Sequence, residues 1–274
     1  MKKILLLLLL FLVTFAKAQN FEGIITWKIT TEITDPKMKA QMEEAQKKMN
    51  DPAMQAQMKE MQEKMDDPEF KKMMEANPQL KAQMEAAMKM MQGGGDVNSM
   101  MPKAFVIKIK NENALTFMDL GMMKMETLYL KDKNASYKID RAAKTYSAFP
   151  PPKEDPNNKM DVKVTKTGET GKVLDYTCTK YIVDIKTKDL TMQQFVWTTT
   201  AIKDFDLKSL ARQRMGSNTQ QSMFYEQLEG VPLKSEMVTP QGKMVMEVSE
   251  IKKQSLPSAD FAIPTNFKEV PLKY

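Results

Sequence analysis

Histidine is absent from all 274 residues, and cysteine occurs once, at Cys178. Without an imidazole there is no Ser-His or Cys-His catalytic pair, no His-ligated zinc or haem, and no histidine titration near neutral pH. A single cysteine cannot close an intrachain disulfide, and Cys178, beside Tyr176 with no candidate base, reads as a buried thiol rather than a nucleophile. Phosphate loops are missing too. Gly93-Gly94-Gly95 is not followed by Lys and Ser or Thr, and no dinucleotide fingerprint occurs. Asp184, Asp189, Asp204 and Asp206 are available for a carboxylate-pair hydrolase, but their spacing does not separate a site from a solvated face. The expectation is a protein that is not an enzyme and needs no cofactor.

Long apolar runs are scarce as well. The single one, Ile4 to Val13, follows Lys2 and Lys3 and precedes Ala16-Lys17-Ala18, which is the layout of an export signal cleaved after Ala18. Residues 1–18 are therefore expected to be removed, leaving a periplasmic or extracellular protein that does not span the membrane, since no later segment approaches roughly 20 apolar residues. Beyond the signal there are 38 basic and 35 acidic residues. That balance carries no basic stripe, so nucleic acid is not an expected partner.

Methionine is what the chain has in excess, with 27 residues in all. Fifteen of them fall between Met38 and Met101, inside a block, 35–102, rich in Gln, Lys, Glu and Ala. Residues 19–34 and 103–274 differ, being rich in Thr, Val, Ile, Tyr and Phe with an alternation of period two. Phe21, Ile25, Trp27 and Ile29 share one strand face. Phe105, Ile107 and Ile109 oppose Lys108 and Lys110, and Tyr181, Val183 and Ile185 oppose Lys180, Asp184 and Lys186. One wet face and one dry face predict an antiparallel sheet. Turns are expected at Thr167-Gly168, Gly171, Glu229-Gly230 and Thr239-Pro240-Gln241-Gly242, a loop at 149–159, and a short helix at 206–214.

The block 35–102 reads as a helical segment inserted into that sheet. Asp35-Pro36, Asp51-Pro52 and Asp67-Pro68 recur every sixteen residues, and Asn77-Pro78 follows ten later. Asp or Asn accepts from the unpaired N–H groups of a first helical turn, and Pro at the first helical position gives up a donor that would lack a partner anyway. Met38, Met54, Phe70 and Leu80 hold the same offset after each start. Apolar stripes follow: Met38, Met42, Ala45, Met49; then Met54, Met58, Met61, Met65; then Leu80, Met84, Ala87, Met91. Such short helices are marginal alone and need to bury their stripes, on one another or on the sheet.

Leucine would specify a fixed core better, whereas methionine repacks around varied partners. The stripes therefore suggest an adaptable lid, with Met54, Met58, Met61, Met65, Phe70, Leu80 and Met84 as candidate ligand contacts together with Trp27 and Trp197 on the sheet. The expected partner is an apolar small molecule, a lipid, or a lipidated or amphipathic peptide. Copper(I) held by thioethers is an alternative, because Met at i and i+4 brings two sulfurs to one helix face; a purely structural role in the cell envelope is another.

The sheet portion resembles a family of secreted bacterial proteins of unknown function that is similar to the outer-membrane lipoprotein carriers and receptors of the LolA/LolB type. The residues are Phe21-Glu22-Gly23-Ile24-Ile25, Tyr176-Thr177-Cys178-Thr179-Lys180-Tyr181, Phe195-Val196-Trp197-Thr198, Glu229-Gly230-Val231-Pro232-Leu233-Lys234, and the stretch from Leu256-Pro257 through Phe261 to Phe267. The resemblance implies an α+β fold: an open, curved antiparallel half-barrel, apolar on its concave face and covered by helices, in a cavity that carriers of this shape use for acyl chains. The inserted methionine-rich segment is not part of the carrier pattern. It looks like the Asp-Pro helical modules of some co-chaperones, nearest in Asp67-Pro68-Glu69-Phe70 and Asn77-Pro78-Gln79-Leu80.

Overall fold

A computed structural model describes residues 21–65, 67–76, 101–119, 124–150, 161–187, 191–204 and 224–272. Twelve strands form one large, curved, open sheet with few helices, an α+β fold that is mostly β. Strand β1 (Gly23–Ile33) leads to three helices, α1 (Pro36–Met49), α2 (Pro52–Met65) and α3 (Pro68–Ala76). Then come β2 (Ala104–Lys110), β3 (Asn113–Asp119), β4 (Lys124–Leu130), β5 (Ala135–Asp140), β6 (Thr145–Ala148) and β7 (Asp161–Val173). The second half contains β8 (Tyr176–Lys186), β9 (Thr191–Thr199), β10 (Val231–Thr239), β11 (Gly242–Lys253) and β12 (Lys268–Glu269). Across the sheet the order is β12-β6-β5-β4-β3-β2-β1-β11-β10-β9-β8-β7. Every pairing is antiparallel except the short β12 on β6.

This order makes β1 the keystone. It joins two runs of sequential hairpins, β2 to β6 on one side and β7 to β11 on the other, by pairing with β2 and β11. Its alternation is the one read from the sequence: Phe21, Ile25 and Trp27 are buried and Ile29 half-buried. The Asp-Pro helix starts also form as expected. Asp35 Oδ1 accepts from Met38 N at 2.7 Å, Asp51 Oδ1 from Ala53 N at 2.7 Å, and Asp67 Oδ1 from Glu69 N at 2.8 Å. Asn77-Pro78, the triple glycine, the 206–214 helix and most of the 149–159 loop lie outside the described residues.

Two expectations need correction. Thr167-Gly168 and Gly171 are not turns: they lie inside β7, where pairing with β8 shifts between Lys166 and Thr170. The bulge spans Thr167 to Glu169 of an edge strand, and the ladder resumes through Gly171 opposite Cys178. The reversal falls instead at Leu174-Asp175, with Leu174 at φ 52°. Nothing in an apolar leucine announces a left-handed turn.

The second correction concerns the wet face. On β2 to β5 the side bearing Lys108 and Lys110 is not solvated, because residues 254–267 cross it as a strap. Leu256 and Phe261 bury themselves there against Leu115, Leu128, Leu130 and Ile139. The lysines serve as clasps: Lys108 Nζ lies 2.7 Å from Asp260 Oδ2, and Lys110 Nζ lies 3.0 Å from Glu22 Oε1. Glu22 also accepts from Leu256 N at 2.6 Å. That backbone donor, followed by Lys110, holds the Glu22 carboxyl below the ordinary carboxylate value. A lowered folded value means the stabilisation is present above the unfolded value and disappears as pH falls through the folded one. Strap amides should thus exchange faster in acid than those of β1, as read by hydrogen exchange, and Glu22→Gln should abolish that acid dependence.

Gly230 has a firmer requirement than the β7 glycines. Its φ is +82°, and a Cβ placed there would meet Thr199 O at 2.2 Å, so only glycine lets β10 begin against the end of β9.

Candidate functional site

Directly opposed residues of antiparallel strands share a face, so the register traces continuous rows. One row is Val248, Trp27, Phe105, Met118 and Met125, on β11, β1, β2, β3 and β4. Trp27 and Phe105 meet edge to face at 5.1 Å between centroids. Farther along the same face Ile29 opposes Met246, which opposes Ser235, and Met244 opposes Met237, which opposes Gln194. Met192 alternates with Gln194 onto that face. All six methionines of the described strands therefore lie on one side of the sheet: Met118, Met125, Met192, Met237, Met244 and Met246. Each is half-buried.

This pavement sits at the end of the sheet from which the helices depart. The chain leaves β1 at Ile33, where Thr34 N and Asp35 N donate to Gln241 O, and re-enters at Ala104. The neighbouring part of the face is closed by a short 3-10 turn, Phe224–Gln227, with Phe224 and Leu228 packed on Tyr181, Val183, Ile185 and Val196. A face of flexible, polarisable thioethers around an aromatic pair can adapt to a long apolar ligand.

The helical candidates are placed differently. Met54 is 43% exposed on α2, with Met38 at 39% and Met73 at 48% on the helices beside it. Phe70 on α3 is half-buried. Met58, Met61 and Met65 lie on α2; Leu80 and Met84 fall outside the described residues. Among the helical residues whose side chains are described, none belongs to a core cluster, and Met38, Met54 and Met73 face solvent. Capping and the Glu44–Lys48 and Glu60–Lys64 pairs, 2.7 and 2.8 Å, give the helices local support instead. No described helix is long and apolar enough to cross a membrane.

The two tryptophans part company. Both border the main core cluster, Trp27 within it and Trp197 at its edge, yet alternation on β9 turns Trp197 away from the methionine face. Trp197 opposes Lys180 and Lys234, whose ammonium groups each stand 5.2 Å from its ring centroid. It serves as an apolar support for paired lysines. What the sequence reading missed was the sheet methionines. Their spacing in β10 and β11 was legible, but their common face depends on the β1–β11 bulge at Thr26/Trp27.

Cys178 is fully buried, and loss of solvent pushes its thiol up from the ordinary value. Iodoacetamide at pH 8 should label it only on unfolding; rapid stoichiometric labelling of the native protein would contradict this placement. Among the described residues no group of three His, Cys, Asp or Glu side chains could hold a metal ion.

No curated protein and no solved structure matches the chain. A family profile, Domain of unknown function (DUF4412), matches residues 88–267, from just before β2 to the end of the strap. β1 and α1 to α3 precede the matched residues, although β1 lies in the middle of the sheet. The chain belongs to this DUF4412 family of uncharacterised domains.

Proposed function

We propose that the protein is an exported, non-enzymatic binding protein, periplasmic or extracellular, that holds an apolar ligand against the methionine face of its sheet. The ligand is a lipid acyl chain or an amphipathic segment, and the methionine-rich helices close over it as a lid. The observation that carries this reading is the gathering of six half-buried strand methionines with Trp27 and Phe105 on one face. A surface that is apolar, adaptable and only half covered is what an apolar ligand of variable shape requires.

The exposed methionines Met38, Met54 and Met73 of α1 to α3 start the second layer. They carry apolar area in water, and their tether emerges beside the pavement, so closure of the helices over a ligand is intramolecular. In this reading the likeness to lipoprotein carriers extends to an open half-barrel with a helical cover, and the methionine-rich segment is the insertion that sets this chain apart. Thioether copper(I) binding and a structural envelope role are the competing readings.

A neutral fluorescent apolar probe tests the proposal. Its emission should rise on binding and be displaced by long-chain amphiphiles, while Met244→Gln/Met246→Gln should weaken it about tenfold or more. Refusal of every apolar probe by the purified protein would refute the proposal, and a stoichiometric copper(I) titration against a chelator would favour the metal reading.

A further inference from the structure

We propose that the methionines of this chain are a site of reversible oxidation, in which a hypohalous acid turns their accessible thioethers into sulfoxides while the fold stays intact. Conversion makes the methionine face polar and closes it to an apolar ligand. That consequence rests on the binding reading above; the modification itself does not.

Methionine is ordinarily among the residues most often fully buried. Here no methionine with a described side chain is. The six on the strands, Met42 and Met101 are half-buried, and Met38, Met54 and Met73 are exposed. Burial falls instead to branched side chains such as Ile25, Ile107, Leu115, Leu128 and Leu233. No methionine is a buried member of the three core clusters, and Met192 packs at the rim of one. The division separates two tasks: hydrocarbon packing inside, and thioethers kept within reach of water.

The competing sulfur is withheld. Cys178 is the single thiol and is fully buried, so an oxidant arriving from solvent meets sulfur as thioether. The sulfur lone pair takes Cl+ from hypochlorous acid, which breaks the O–Cl bond and releases hydroxide. Water then adds at sulfur as chloride and two protons leave, one of them neutralising the hydroxide. The net products are one sulfoxide, one chloride and one proton; sulfur loses two electrons and chlorine gains them.

Each conversion replaces a flexible apolar side chain by a polar one. Sulfoxides at Met118, Met125, Met237, Met244 and Met246 would be hydrated, and an acyl chain laid over them would leave their oxygens without donors. The core clusters hold no buried methionine, so the sheet keeps its packing. Reduction reverses the change, since a sulfoxide and two thiols give thioether, disulfide and water, with one reductase for each sulfoxide epimer.

The test treats the purified protein with rising equivalents of hypochlorous acid, maps sulfoxides by peptide mass spectrometry, and follows melting and binding of the neutral fluorescent probe. Met38, Met54 and Met73 should convert first and the strand methionines next, before any tyrosine is chlorinated. The melting midpoint should stay within about 4 °C, while probe affinity falls about tenfold or more. Methionine sulfoxide reductases of both epimer specificities, with a dithiol, should restore binding, and Cys178→Ser should respond as the parent does. Strand methionines that resist until tyrosine is chlorinated would overturn the proposal. So would melting lost in step with sulfoxide formation, a sulfoxide-bearing protein that binds the probe as before, or a response that disappears in Cys178→Ser. A protein that binds no probe before oxidation refutes the ligand reading alone; the order of conversion and the retained melting midpoint then decide the modification.

Discussion

Ile25→Ala is expected to destabilise the protein by about 2–5 kcal/mol, the range for emptying a fully buried branched aliphatic site. Ile25 has no exposed surface and lies between Ile107 and Ile251 in the strand that joins the two hairpin runs. A loss there loosens β2 and β11 together. For a domain of this size each kcal/mol moves the melting temperature by roughly 2–4 °C, so the drop should be at least about 5 °C by circular dichroism. Val238→Ala is the control. Its side chain is 43% exposed, and the change should stay within about 0.5 kcal/mol. An Ile25→Ala protein that melts within a degree of the parent would remove β1 from its central place.

Deletion of residues 35–102, with a short Gly-Ser link in their place, is expected to have the second large effect, on binding rather than folding. No residue of α1 to α3 whose side chain is described enters a core cluster, and short helices alone contribute little stability. Cooperative unfolding should persist with a midpoint within a few degrees. Ligand affinity should fall steeply, since each methionine side chain withdrawn from a ligand gives up about 1.5–3 kcal/mol at full burial; a loss of about a hundredfold corresponds to one or two such contacts. Global unfolding would show instead that the segment belongs to the core, and unchanged affinity that it is no lid.

The sequence was most legible where one local rule acts alone. Asp-Pro capping located α1, α2 and α3, because side-chain acceptor and proline ring act within a single turn. Period-two alternation located β1, β2 and β8 for a similar reason. It failed where long-range packing intervenes. Lys108 and Lys110 alternate as solvent residues do, and only the strap bearing Asp260 and Leu256 shows why they are clasps. Gly168 and Gly171 carry the chemistry of a turn, but pairing with β8 carries the strand through them. The site followed the same division. The helical methionines stood out by spacing, whereas the sheet methionines come from five strands far apart in the chain and meet only through register.

Native mass spectrometry of the protein purified from its host envelope under non-denaturing conditions tests most directly whether the methionine face holds an apolar ligand. A bound species of lipid or amphiphile mass is expected, lost from the Met244→Gln/Met246→Gln protein and retained by Cys178→Ser. A protein that repeatedly arrives at its bare polypeptide mass, and stays there after incubation with long-chain amphiphiles, would contradict it.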